Sequence, residues 1–192
     1  KERVRRHVIH AVDRRLLTRN VSRLFAQSQT VQHRLQRWGG IRSEVLYPPP
    51  PPRSYRCEGY GDYLFIASRL SPLKRVGLVI EALAHPVAAG IRCVIAGDGE
   101  ERGRLRERVD SLGLAGRVKL VGSVGERELV QHLARCRAVC YPPRAEDYGL
   151  LTLEAFVSGK AVITCSDSGG PAELVATDKE GIVVAPQAKP LA

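Results

Sequence analysis

A chain of 192 residues has room for one full-sized domain, or for one domain and part of another. Its composition, 44% hydrophobic and 26% charged, is that of a chain that buries a core, and it excludes a disordered protein. The formal charge of +10 is concentrated at one end: residues 1–40 carry ten basic side chains (Lys1, Arg3, Arg5, Arg6, Arg14, Arg15, Arg19, Arg23, Arg34, Arg37) against Glu2 and Asp13, a local excess of +8.

No apolar run approaches the ~20 residues of a membrane span, and residues 1–10 lack the apolar centre of a signal peptide. With no starting Met, the chain is read as beginning inside a longer protein. "RRHVIHAVDRRLLTRN" has helical periodicity, and its arginines read either as a solvated face or as a surface attracted to anionic lipid headgroups. Nucleic acid is not expected as a partner, because the few aromatics are not interleaved with the basic residues and no nucleic-acid motif occurs. "SRLFAQS" predicts a strand, "SQTVQHRLQRWGG" a short helix with Ser28 as N-cap, and "EVLYP" another strand. That amounts to one and a half βα units, too little for a core of its own. "YPPPPPPRSYR", Tyr47 to Arg56, lacks amide donors and favours extended polyproline geometry, so it predicts a stiff linker. The expected division is 1–50 and 51–192.

Beyond the linker, strands are predicted at 62–68, 92–97, 118–122, 138–142, 161–165 and 181–185, with helices at 72–85, 100–112, 126–136, 149–159 and 170–176. Continuous apolar strands alternating with amphipathic helices predict an α/β, Rossmann-like parallel sheet covered on both faces. Ligands of such sheets bind beyond the carboxyl ends of the strands. The five cysteines include no CxxC pair, and their odd number argues against a disulfide framework. A reduced, cytoplasmic setting is expected, and no metal site is suggested.

After the first of these strands, Ser71 and Pro72 read as N-cap and first helical residue. Arg69 and Lys74 then place two cations beside helix N-terminal amides, an arrangement suited to a phosphate; two solvated surface charges are the plainer reading. The turns "AGDGEERGRL" and "VGSVGERE" are nonspecific. "RAEDYGLLTLEAFVSGKAV", Arg144 to Val162, is more informative. A helix starting near Gly149, turned ~100° per residue from Leu150, puts Leu151 at ~100°, Leu153 at ~300°, Phe156 at ~240° and Val157 at ~340°. Glu154 falls at ~40°, inside the apolar arc, where an unpaired carboxylate is costly. It needs either a ligand offering hydroxyl donors or one of the many arginines. Gly149 allows close backbone approach, and the first-turn amides make a second anion site. A diphosphate flanked by Arg69, Lys74 and these amides, with Glu154 facing a pair of sugar hydroxyls, describes a nucleotide-sugar pocket.

The segments "SRLSPLKRVGLVIEAL", "VIAGDGEERGRL", "VKLVGSV" and "EDYGLLTLEAFVSGKAVITCSDSGGPAELV" resemble, in that order, the donor-binding half of glycosyltransferase family four, a retaining GT-B group. The resemblance runs from about Phe25 to Val184, and Glu146 with Glu154 meets the family's Glu-x7-Glu signature. It implies that Arg69 and Lys74 neutralise the donor diphosphate and stabilise the leaving group, work that fixed charges do without a metal or cofactor. It gives Glu154 the ribose hydroxyls, Glu146 hydroxyls of the transferred sugar, the backbone around Tyr148, Gly149, Leu150 and Leu151 the diphosphate, and Val124 the border of the base. Ser68 stands where the family often has Gly. The implied donor is UDP- or GDP-linked, and the implied acceptor is a polysaccharide, oligosaccharide or lipid-linked sugar. The acceptor site and catalytic His belong to an N-terminal domain this chain mostly lacks, and the helices that usually follow the last strand are expected beyond Ala192, so the fragment is expected to bind donor without transferring it. An epimerase of the same architecture and a noncatalytic binding module are the competing readings. Attachment to the inner membrane surface through the basic N-terminal region is a further expectation.

Overall fold

In the computed structural model, residues 2–192 are described; Lys1 and the side chain of Arg3, both counted in the basic excess, lie outside the described residues. The chain divides into two compact units, Lys1–Pro48 and Pro49–Ala192.

In the first unit, helix α1 (Glu2–Arg19) is followed by β1 (Phe25–Ala26), α2 (Gln29–Arg34), a π-helical turn at Leu35–Gly39 and β2 (Glu44–Val45). The two short strands pair in parallel. Ser28 caps α2 as expected: its hydroxyl accepts from the Val31 amide at 3.0 Å. Gly40, left-handed at φ 61°, ends the π turn. Among the described residues only Ala26, Ser28 and Ile41 are fully buried here.

The second unit carries the main sheet. Its strands are β3 (Tyr63–Ala67), β4 (Arg92–Ala96), β5 (Val118–Gly122), β6 (Ala138–Cys140), β7 (Val162–Cys165) and β8 (Gly181–Val184). Helices α3 (Val76–Ala84), α4 (Arg102–Ser111), α5 (Glu126–Arg135), α6 (Leu150–Val157), α7 (Gly170–Leu174) and α8 (Ala188–Leu191) lie between and after them. Every pairing is parallel, in the order β5-β4-β3-β6-β7-β8. Strand side chains alternate between faces. Phe65 therefore joins one core with Leu133, Val139, Leu151 and Ala155, while Ile66 joins the other with Val79, Ile80, Ile95 and Leu105. Burial on both faces explains why these strands read as unbroken apolar runs.

One expectation needs correction. The helix predicted at 72–85 is broken. Pro72–Lys74 form a 3-10 turn, Arg75 is left-handed at φ 50°, and α3 begins at Val76. Ser71 makes no side-chain cap, and Lys74 does not stand in the first turn of α3. The linker is fastened to the rest of its unit. Residues 46–61 hold no regular structure, but the Glu58 and Gly61 amides donate to the carbonyls of Ala134 and Arg135 at 2.8 and 2.9 Å, fastening its second half to the end of α5.

Order reverses between β3 and β6, whose successors run to opposite edges. In doubly wound sheets a crevice opens at the carboxyl ends of such a pair. The elements around it are held by side chains as well as by the ladder. Arg117, just before β5, donates to the carbonyls of Leu83 (2.7 Å), Ala88 (2.9 Å) and Ile91 (3.0 Å), tying the end of α3 and the turn after it to the sheet. Replacing Arg117 by Ala is expected to cost ~1–3 kcal/mol, read as a lower urea midpoint with an unchanged slope; Lys at 117 should restore little, since one ammonium cannot span three acceptors.

Candidate functional site

The crevice at the strand reversal is built from the turn after β3, the loop after β6 and the turn after β7. Lys74 reaches across it. Its ammonium donates to the Tyr141 hydroxyl at 3.0 Å and to the Glu146 carboxylate at 2.5 Å, and it lies 5.5 Å from the centre of the Tyr141 ring. Burial works against the ammonium, but the bonds with Glu146 and Tyr141 outweigh it and raise the Lys74 pKa. Burial likewise raises Tyr141, against the lowering influence of Lys74. Lys74 is therefore neutralised by an acid from the facing loop and not by opposition to a helix dipole.

The loop carrying Glu146 is fixed by its backbone. The amides of Arg144, Ala145 and Glu146 donate to the carbonyls of Leu73 (2.7 Å), Asp167 (2.9 Å) and Ser168 (2.9 Å), and Gly170 donates back to Glu146 (2.9 Å). Arg75 is the side-chain anchor. Its guanidinium donates to both Asp167 oxygens at 2.8 and 2.7 Å and to the carbonyls of Pro142 (2.8 Å) and Pro143 (2.7 Å). Sequence reasoning passed over Arg75. Its only signal was its position directly after Lys74, which says nothing about three acceptors on distant segments.

Helix α6 opens on Gly149, left-handed at φ 81°. A Cβ there would come within 2.6 Å of Pro171 and 3.1 Å of the Tyr141 ring, so only Gly fits. The Thr152 amide donates to the Gly149 carbonyl at 2.9 Å, while the first-turn amides ahead of it have no partner within the helix.

Glu154 is buried, with 6% of its surface exposed. The face that carries it differs from the predicted one. Leu150 and Val157 are exposed, whereas Leu151, Thr152, Ala155 and Ser158 are buried, and Glu154 stands at the margin of that face. Of the two partners the sequence left open, the structure supplies an arginine. Arg53 of the linker donates to Glu154 Oε1, and Tyr55 donates to the same oxygen at 2.8 Å. Arg53 also donates to the Tyr55 hydroxyl at 3.2 Å and lies 3.6 Å from Glu126. Burial raises the Tyr55 pKa despite Arg53. Neither linker residue was singled out in the sequence.

Residues 57–192 match the family described as glycosyl transferases group 1. The chain belongs to that family. Among its relatives, a D-inositol 3-phosphate glycosyltransferase of Jonesia denitrificans is 34% identical over 133 residues, covering 65% of this chain and 31% of that protein. An exopolysaccharide phosphotransferase of Streptomyces coelicolor is 33% identical over 129 residues, 66% of this chain and 14% of the other. The chain thus spans a third or less of the length of either relative. Among solved structures, Anabaena Alr3699/HepE in complex with UDP and glucose superposes with a TM-score of 0.81 at 27% identity, over 95% of this chain and 55% of that one. The architecture is that of the Rossmann-like half of a GT-B glycosyltransferase.

The group 1 residues named from the sequence fall into separate sets. Lys74 and Glu146 meet directly. Arg69 points outward, its side chain 75% exposed and 3.4 Å from Glu100, so the expected pair of cations is not assembled here. Ser68 sits beside Gly97, where a Cβ would fall 1.8 Å from the Ser68 carbonyl, and its hydroxyl oxygen is buried without a hydrogen-bond partner. Tyr148 and Leu151 are buried, Leu150 is exposed at the start of α6, and Val124 is half-buried after β5. Among the described residues, no group of three His, Cys, Asp or Glu side chains is placed to hold a metal ion.

Because Arg53 is the main counter-charge of a buried carboxylate, Arg53→Ala is expected to lower stability by roughly 2–4 kcal/mol in chemical denaturation. Pairing it with Glu154→Gln should recover much of that loss, since the stranded charge is then gone.

Proposed function

We propose that this chain binds a nucleoside-diphosphate sugar, UDP- or GDP-linked, in the crevice at the strand reversal, and that the complete protein transfers the hexose with retention to a polysaccharide, oligosaccharide or lipid-linked acceptor. The observation that carries the reading is the position of two acids and a lysine there: Glu146 ion-paired to Lys74, and Glu154 buried on the first turns of α6. Similarity to Alr3699/HepE, solved with UDP and glucose and with UDP-glucose, supports it.

In this reading Lys74 exchanges Glu146 for the diphosphate, and the freed Glu146 accepts from hydroxyls of the transferred sugar. Arg69, exposed and 3.4 Å from Glu100, swings onto the phosphates. The α6 amides, opening at Gly149, complete the anion site. Glu154 exchanges the Arg53 and Tyr55 donors for the ribose hydroxyls, and Val124 borders the base. As the sugar–phosphate bond breaks, negative charge grows on the leaving phosphate, and fixed cations and amides stabilise it there more than in the ground state. No metal or cofactor is needed for that step. An acceptor would be bound by parts of the protein beyond this chain, so the 192 residues bind donor without turnover.

Calorimetry of this chain against UDP, GDP, UDP-glucose and GDP-mannose is the test. One nucleotide series should bind, with Lys74→Ala weakening it by about tenfold or more and Glu154→Gln reducing the preference for ribose over deoxyribose nucleotide. Absence of binding in the whole panel by folded protein would reject the reading in favour of a noncatalytic module, and turnover by the 192-residue chain would overturn its inactivity.

We also infer that the complete enzyme is cytoplasmic and lies on the inner membrane surface. No described helix is long and apolar enough to cross a membrane. On α1, however, Val4, Val8, Val12 and Leu16 recur every four residues and are all exposed beside Arg5 and Arg15, a pattern suited to an anionic interface. Sedimentation with phosphatidylglycerol vesicles should fall steeply with salt, and binding indifferent to both lipid charge and salt would remove the inference.

A further inference from the structure

Away from the crevice, the linker is tied to the turn between α6 and β7 by a buried cation. Lys160 is only 2% exposed. Its ammonium donates to the Gly59 carbonyl and to Cys57 Sγ at 3.4 Å, and it lies 4.4 Å from the centre of the Tyr60 ring. Among the described residues no carboxylate lies within 4 Å of it. A buried ammonium is costly without an anion. A carbonyl and an aromatic face offset part of that cost, and the neighbouring thiols able to become anions are Cys57, at 3.4 Å, and the buried Cys136, of which Cys57 is the exposed one.

Cys57 itself is exposed, whereas Cys93, Cys136, Cys140 and Cys165 are buried. Its other neighbours are Glu58, already held by Arg56 (2.5 Å) and Arg135 (2.7 Å), the Tyr60 hydroxyl and the buried Cys136 thiol. The Gly59 backbone first, and Lys160 after it, lower the Cys57 pKa. Burial does the opposite elsewhere, pushing Cys93 up to about 12 and Cys136 up to about 11.

We propose that Cys57 and Lys160 form a thiolate–ammonium pair, which makes Cys57 the reactive thiol of this chain and a surface site for S-thiolation by low-molecular-weight disulfides. The thiolate attacks one sulfur of the reagent. The reagent's S–S bond breaks, a new S–S bond forms to Cys57, and the other half departs as a thiolate. Cys57 is oxidised, the departing half is reduced, and the proton of the original thiol goes to solvent. The site is independent of donor binding, for which Cys57 and Lys160 have no assigned role.

The test follows the folded 192-residue chain reacting with dithiobis-nitrobenzoate and with glutathione disulfide between pH 5.5 and 9, with the modified residue located by mass spectrometry. One thiol should react, at Cys57, roughly threefold or more faster than free glutathione at pH 6.5, with its pH profile displaced to lower pH. Cys57→Ser should abolish the reaction, and Lys160→Gln should move the profile back toward higher pH. A Cys57 that reacts no faster than glutathione at pH 6.5, or a profile that Lys160→Gln leaves in place, overturns the proposal. Should Lys160→Gln unfold the chain, revealed by modification of the four buried thiols as well, the wild-type profile alone decides.

Discussion

Two adjacent cations in the turn after β3, Lys74 and Arg75, draw together the carboxyl ends of three strands. Where strand order reverses, the backbone ladder joins β3 to β6 but leaves the turns beyond them free to diverge. Arg75 closes that gap with hydrogen bonds to Asp167 and to two carbonyls of the loop after β6, and Lys74 closes it with Glu146. The left-handed backbone at Arg75 that breaks the expected helix aims both side chains across the crevice instead of along α3. For a non-glycine residue that conformation is uncommon and costs energy, and the bonds made by the Arg75 guanidinium offset it. The loop that positions Glu146 and Gly149 depends on them.

The second acid of the signature follows another logic. Glu154 sits at the margin of a buried helix face formed by Leu151, Thr152, Ala155 and Ser158. Its partners come from the proline-rich segment, whose stiffness delivers Arg53 and Tyr55 without a strand or helix to carry them. Those donors are a charged guanidinium and a phenol hydroxyl, so losing the first would leave a buried carboxylate without its counter-charge. The pairing therefore ties the proline-rich segment to α6 and holds the carboxylate in place.

Cations with partly or fully buried side chains recur as fasteners in this unit. Arg117 binds carbonyls at the end of α3, Arg75 those of the loop after β6, and Lys160 that of Gly59. Arginine spans several acceptors at once, so Arg117 closes its turn through carbonyls alone and Arg75 combines carbonyls with Asp167. Lys160 has a single ammonium and fewer acceptors, which is why its thiol neighbour acquires chemical consequence.

The alternation of strands and helices was legible in the sequence, because period and turn residues are local properties of the chain. So was the burial of Glu154, since a carboxylate among leucines at helical spacing has few places to go, although the helix turned a different face to the sheet. The break at Arg75 was not legible: "SPLKR" carries good helix-start residues, and the loop that competes for them lies about seventy positions further on. Arg53 stands 101 residues from Glu154, and Lys74 stands 72 from Glu146. Residue types and spacing determined that these charges needed partners. Which partners they found was decided only when the strand order set distant turns side by side, for pairing across a sheet follows topology, and topology leaves no local period to read.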